Sequence, residues 1–460
     1  MADRNARLAA LMQEADFSNK SLARAVVAAG AHSGEDVICD HTYVSRWLNG
    51  TIPRGKMPQF IADAIGRKLG RRLTIDDIGM GDAAVSAVQP DLGLDFADKP
   101  EATAKTVTDL WRADLAEAEV LVRAHPDTAA WSAASLRWIV APPDGELARL
   151  GNRAIGAVDI EMVRSTADAF STLDGKFGGG HARRALIQYL HTDVRPMLDG
   201  KYSDTVGKQL HSAVAEALLL AGFMSYDSGL HGIAQRYFIQ GLRMAQAAGD
   251  RLLGSSILSA MSHQATFLGR YRDAATLARA AYTGPAGSLG PTMAAHHIAM
   301  EARALARLGD DTGCDLALVK AERKLSQRTP DSDPAYIEYF DEVELAAEIG
   351  HCFRDLGRSA QATERGASSV IGDGLNTRSD FFATMVQADA HLGQGEIDRA
   401  FEIALGALQL GEGLKSARCV QYVREFQGRI TDGMQRGAEF RNFTEQARGF
   451  RLWQQVGTMS

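Results

Sequence analysis

Residues 222–241, "GFMSYDSGLHGIAQRYFIQG", set Gly229 between two helix-forming runs, with small residues at Gly222, Ala234 and Gly241. The same arrangement returns along the chain. Aligned with Gly229 are Gly269, Gly309, Gly357 and Gly395, at spacings of 40, 40, 48 and 38 residues. Seven positions before them stand Gly222, Ser262, Ala302, Gly350 and Ala388; five after, Ala234, Ala274, Cys314, Ala362 and Ala400; twelve after, Gly241, Ala281, Ala321, Ser369 and Ala407. Small side chains at these offsets let two helix backbones touch, and the glycine between them makes the turn. The period predicts stacked helical pairs, an all-α solenoid with a concave inner face. The first helix of each pair should line that face. Its residues Tyr226, His263, Arg303, His351, Arg354 and Asp389 mix cations, an acid and aromatics. They are candidates for holding a peptide, small-molecule or protein ligand.

Composition agrees with a folded helical protein. The chain has 460 residues, room for two to four domains, with 45% hydrophobic and 23% charged residues and only 7% aromatics. No apolar run nears the roughly 20 residues that span a bilayer, and residues 1–17 alternate charged with apolar side chains, unlike a secretory signal. No membrane association is expected. The four cysteines, Cys39, Cys314, Cys352 and Cys419, are scattered without a CxxC pair, which points to a reducing cytoplasm rather than a disulfide framework or zinc site. No metal or other cofactor is expected.

Net charge is −7, but residues 1–80 carry 11 Lys+Arg against 9 Asp+Glu, leaving −9 for the remainder. Between 41 and 72 stand Arg46, Arg54, Lys56, Arg67, Lys68, Arg71 and Arg72 against Asp63 alone. Such local asymmetry marks a surface for a polyanion. Four helices are predicted here, over 5–17, 18–30, 40–50 and 57–71. In the third, "DHTYVSRWLNG", Asp40 is an N-cap type and Val44, Trp47 and Leu48 share one stripe. His41, Thr42, Ser45 and Arg46 then point outward together, with Tyr43 and Asn49 beside them. Arg donates two bonds to a guanine edge, Thr and Ser bond bases or touch a thymine methyl, and His reaches N7 or phosphate. Arg54 and Lys56 follow in position to clamp phosphates.

The run "TYVSRWLNGTIPRGKMPQFIADAIGRKLG" (42–70) resembles the helix-turn-helix of the XRE family. That resemblance implies that the helix before the "NG" loop enters the major groove. His41, Thr42 and Arg46 would contact bases, and Asn19 and Lys20 of the preceding helix would touch phosphate. One departure stands out: the turn "AHSGEDVICD" (31–40) is longer than the usual four residues and carries Glu35, Asp36 and Asp40.

The remaining boundaries read as a linker at 81–105, a helical connecting region at 106–200, repeats at 201–435 and a C-terminal helical tail at 436–460. The segment "WSAASLRWIVAPPDGE" (131–146), broken by Pro142-Pro143, reads as a short exposed element. In "DGKFGGGHARRALIQYL" (174–190), glycines run into a helix bearing His181, Arg183 and Arg184. It is either a helix-to-helix turn or an anion site. Nucleotide-binding and hydrolase motifs are absent, so no enzyme is expected.

The repeats resemble degenerate tetratricopeptide repeats stretched beyond their usual period of about 34. Together with the "HTYVSRWLNG" helix and the stretches "AVDIEMVRSTADAFSTLDGKFGGGHARRALIQYLHTDV" and "GFMSYDSGLHGIAQRYFIQGLRMAQAAGD", they make most of the chain similar to streptomycete XRE-type regulators with tetratricopeptide-like C-terminal domains. The resemblance implies a sequence-specific transcriptional regulator of development, sporulation or antibiotic production. A homodimer on a two-half-site double-stranded operator is expected, because one such domain buries little DNA surface. The competing expectation is a repeat-based scaffold that sequesters other regulators.

Overall fold

Helix caps and apolar stripes organise the chain from its first described residues. Asn5 accepts the Leu8 amide through its side chain (3.0 Å) and donates from its own amide to Ile78 O and Gly79 O, at 2.9 and 3.1 Å. One side chain thereby starts a helix and ties down the end of the same unit. The computed structural model describes residues 5–457 apart from 33, 34, 36, 54, 55, 72, 76, 81–87, 286, 330–332, 371, 373 and 375. The protein is all-α. Among the described residues the β pairing is two isolated bridges, Arg149 with Tyr202 and Ala154 with Lys201. No described helix is long and apolar enough to cross a membrane. The chain divides into two compact units, 1–89 and 90–460.

The first unit contains α1 (Ala6–Glu14), α2 (Asn19–His32), α3 (His41–Leu48) and α4 (Met57–Leu69). Each contributes an apolar stripe to one core: Leu8 and Met12, Leu22 and Val26, Val44 and Trp47, Ile61 and Ile65. Pro58 sits in the first turn of α4, where its missing amide does no harm, and Gly70 ends that helix at φ +67°.

The second unit opens with α5 (Pro100–Leu115), α6 (Thr128–Val140), α7 (Ala157–Phe177) and α8 (Gly179–Tyr189). Five helical pairs follow: α9 (Asp204–Asp227) with α10 (His231–Ala248), α11 (Arg251–Phe267) with α12 (Tyr271–Thr283), and α13 (Pro291–Leu308) with α14 (Asp311–Leu325). The last two are α15 (Glu342–Asp355) with α16 (Ser359–Gly366), and α17 (Thr377–Gly393) with α18 (Ile397–Leu410). The five aligned glycines separate the members of each pair, and all adopt φ between +73° and +80°, a conformation in which a Cβ is strained. The small residues mark the close approaches. A Cβ on Gly222 would run into the Phe238 ring, and Ser262 donates from Oγ to Ala274 O (2.8 Å). The first helices of successive pairs also pack on one another in order, and α17 packs on α19 (Ala417–Arg429).

The start of the series meets its end. Asp227, at the end of α9, accepts the Ser416 hydroxyl (2.8 Å) and the Gly179 amide (2.9 Å), and faces Arg378 (3.5 Å) and Arg418 (3.8 Å). Arg378 pairs with Asp174 of α7 (2.8 Å), and Gly180 N donates to Lys415 O (3.0 Å). The C-terminal helices α20 (Ala438–Ala447) and α21 (Arg451–Gly457) then cover α18 and α19, with Phe443 stacked on Phe401 at 4.4 Å.

Two expectations are corrected. The span 81–105 is not a linker throughout. Residues 90–97 are gripped by α10: Arg236 donates to Pro90 O (2.6 Å) and Leu92 O (2.8 Å), Gln240 to Gly93 O (2.9 Å) and Asp95 O (2.8 Å), and Arg243 to Ala97 O (2.5 Å). Residues 100–105 already belong to α5. Nor is 131–146 a short exposed element. Its residues 131–140 belong to helix α6, which buries Trp131 and Trp138 completely, and Arg251 stacks on the Trp138 indole at 3.8 Å.

Candidate nucleic-acid interface and central cavity

Helix α3 is short and would fray without its cap. Asp40 supplies that cap, accepting the Thr42 amide (2.7 Å) and hydroxyl (2.5 Å) and the Tyr43 amide (3.3 Å). The Thr42 hydroxyl bond is the first of the contacts that hold the Asp40 carboxyl below its usual range. Val44 and Trp47 are buried, while His41, Thr42, Tyr43, Ser45, Arg46 and Asn49 are exposed. The Arg46 guanidinium lies 5.9 Å from the Tyr43 ring centre, a turn back along the helix. Lys20 is exposed and Asn19 half-buried at the start of α2. Arg54 lies outside the described residues.

The long turn before α3 gains a structural explanation. Two of its acids have work inside the protein: Asp40 caps α3, and Glu35 pairs with Lys56 at 2.6 Å. The same geometry restricts two candidate contacts. Thr42 has its hydroxyl engaged by Asp40, leaving its methyl as the freer group, and Lys56 must share its charge with Glu35.

Residues 8–81 match a protein-family model described as the SP15 N-terminal domain. The matched span takes in α2, α3, α4 and most of α1. No curated protein and no solved structure matches the chain.

In the second unit, four of the sequence candidates from four different helices meet in one place. Tyr226, His263, Arg303 and Arg354 line a cavity of about 30 Å³. Asp389 and His351 stand just behind its wall. Asp389 faces Arg354 (3.4 Å) and Arg429 (3.1 Å), and the His351 ring packs edge-on against Tyr422 at 5.7 Å. Arg303 is paired with Glu348, and Asp355 with Arg354 (2.7 Å) and Arg307 (3.3 Å). Burial, followed by the Arg418 and Arg303 charges, pushes His263 well below the usual histidine range, and burial pushes the Tyr226 phenol up.

Helix α19 completes the wall with Arg418, Tyr422 and Glu425. These residues were not among the candidates, because α19 lies outside the glycine register. Their signal is a stripe of polar side chains, Arg418, Tyr422, Glu425 and Arg429, running one position before the apolar stripe Cys419, Val423 and Phe426. Arg418 lies 4.8 Å from the Tyr226 ring centre and 4.4 Å from that of Phe382.

The glycine-rich turn at 178–184 is corrected as a ligand site. One terminal nitrogen of Arg183 donates to both Asp114 oxygens, at 2.5 Å each, and Arg184 pairs with Glu117 (2.7 Å). His181 packs against Phe177 at 4.9 Å. The Gly179 and Gly180 amides are taken by Asp227 and Lys415. Charges and amides that would attract an anion are consumed in joining helices.

Proposed function

We propose that the protein is a sequence-specific DNA-binding transcriptional regulator, akin to the streptomycete XRE-type regulators of development and antibiotic production. In this reading residues 1–80 form a helix-turn-helix domain, and α3 is the recognition helix. The helical pairs form a tetratricopeptide-like α-solenoid that senses a ligand and supports a homodimer. The observation that carries the proposal is the two-sidedness of α3. A capped helix anchored by Val44 and Trp47 presents His41, Thr42, Ser45 and Arg46 to solvent in a basic region of an acidic chain. Such a face fits a major groove, with Lys20 and Lys56 flanking it for phosphate.

The two kinds of contact separate by mutation. Arg46→Ala is expected to weaken binding to a selected operator by about 1–3 kcal/mol and to relax preference at one base position. Lys20→Ala should weaken selected and random DNA alike and lower the salt slope by about 1. Fluorescence anisotropy across a salt series reads both. Equal losses on selected and random DNA for Arg46→Ala would remove it as a base reader.

A further inference from the structure

The central cavity of the second unit presents more hydrogen-bond donors than the protein itself answers. Tyr226 Oη, Thr266 Oγ1 and the Nε atoms of Arg303 and Arg418 are buried without a hydrogen-bond partner among the described residues. All four side chains line the cavity. Against them stand one buried unanswered carboxylate oxygen on the wall, Asp355 Oδ2, and the half-buried Glu425 carboxylate, while His263 Nδ1 can take either role. Buried polar groups left unpaired destabilise a fold, so such a concentration of them calls for an occupant.

Those donors sit on three inner helices and on α19, which closes the series. Arg418 is the least compensated of the cations there. Its nearest carboxylate, Asp227, is 3.8 Å away, whereas Arg303 and Arg354 have closer partners in Glu348 and Asp355. A volume of about 30 Å³ admits one compact group or about two waters and excludes a peptide in this conformation.

We propose that this cavity binds a compact oxyanion, a phosphate or the carboxylate of a small acid, held by Tyr226, Thr266, Arg303 and Arg418. The inference rests on the sensory role given above to the repeats and requires no DNA. An anion on Arg418 would also strengthen the joint between α9 and α19, so occupancy and closure of the series are coupled through one side chain.

The test uses the full-length protein without DNA. Inorganic phosphate and succinate are titrated separately against chloride of equal ionic strength, by calorimetry and by thermal unfolding. The expected result is saturable binding of at least one of them, with a rise in Tm beyond chloride. Phosphate alone or succinate alone names the chemistry. Tyr226→Phe removes only an unpartnered hydroxyl, so the ligand-free Tm should hold or rise while binding weakens about tenfold. Arg418→Gln should abolish the response; where that variant does not fold, Tyr226→Phe decides. No saturable response to either anion, or full retention in Tyr226→Phe, overturns the proposal. Because DNA is absent throughout, neither outcome is confused with failure of the operator reading.

Discussion

Asp227→Ala is expected to destabilise the protein by about 3–5 kcal/mol, the usual loss when one partner of a buried charged network is removed. Asp227 is 1% exposed. Its carboxylate answers the Gly179 amide and the Ser416 hydroxyl and faces both Arg378 and Arg418. Alanine would leave Arg418 without its nearest carboxylate and reduce Arg378 to Asp174. It would also strip one hydrogen bond from the joint between α9 and the segment before α19, and one from that between α9 and the start of α8. Asp227→Asn keeps the shape and one acceptor oxygen for the Gly179 amide, so it should lose less than alanine. Urea unfolding of the three proteins measures the differences. A loss below about 1 kcal/mol for alanine would show that the two ends of the series are held by packing instead.

Acid should weaken the same unit steeply. Burial pushes His263, His297 and His351 well below the ordinary histidine range, and pushes His231 and His296 down to about 4. These imidazoles stay neutral in the folded protein, while an unfolded chain protonates them near pH 6.5. Their folded pKa values are depressed, so their contribution is present above pH 6.5 and lost as pH falls. Each removes about 1.4 kcal/mol per pH unit once protonation of the unfolded state is complete. Carboxyls act in the opposite sense: burial raises Asp174, and raises Asp389 to about 6 and Glu344 to about 8, so the folded state takes up protons there. The net expectation is a loss on the order of a few kcal/mol between pH 6.5 and 5.5, because the depressed histidines outnumber the raised carboxyls. Urea midpoints at pH 7.5, 6.5 and 5.5 test it, and a stability that is flat or rising toward pH 5.5 contradicts it.

The helical pairs were legible because their constraints are local. A turn at positive φ admits glycine, and touching backbones admit small residues, so Gly229, Gly269, Gly309, Gly357 and Gly395 leave a mark at regular offsets. The inward stripe followed from the same register, which is how Tyr226, His263, Arg303 and Arg354 could be named before their convergence was seen. The closing contacts had no such signature. Asp227 and Ser416 lie 189 residues apart, and no period relates them. The docked segment at 90–97 was hidden for the same reason. Its composition is that of a linker, and what fixes it is the stripe Arg236, Gln240 and Arg243 on a distant helix.

In the first unit the basic patch and the outward face of α3 were readable from charge and helical spacing. The use of Glu35 was not. Asp40 was readable as the N-cap of α3, whereas the pairing of Glu35 with Lys56 across the turn leaves no mark in the sequence. Arg183 and Arg184 carry the opposite lesson. Two arginines after three glycines suggested an anion, but Asp114 and Glu117, about 70 residues earlier, had already claimed them.

Sequence-specific DNA binding is tested most directly by selecting duplexes from a random pool with the full-length protein, beside a His41→Ala, Arg46→Ala double variant. The predicted result is enrichment of a motif with two half-sites about one helical turn, or a multiple of it, apart. The double variant should fail to enrich that motif while keeping weak, salt-sensitive binding to any DNA. A selected pool indistinguishable from the input, or the same motif enriched by the double variant, would contradict α3 as the reader of an operator.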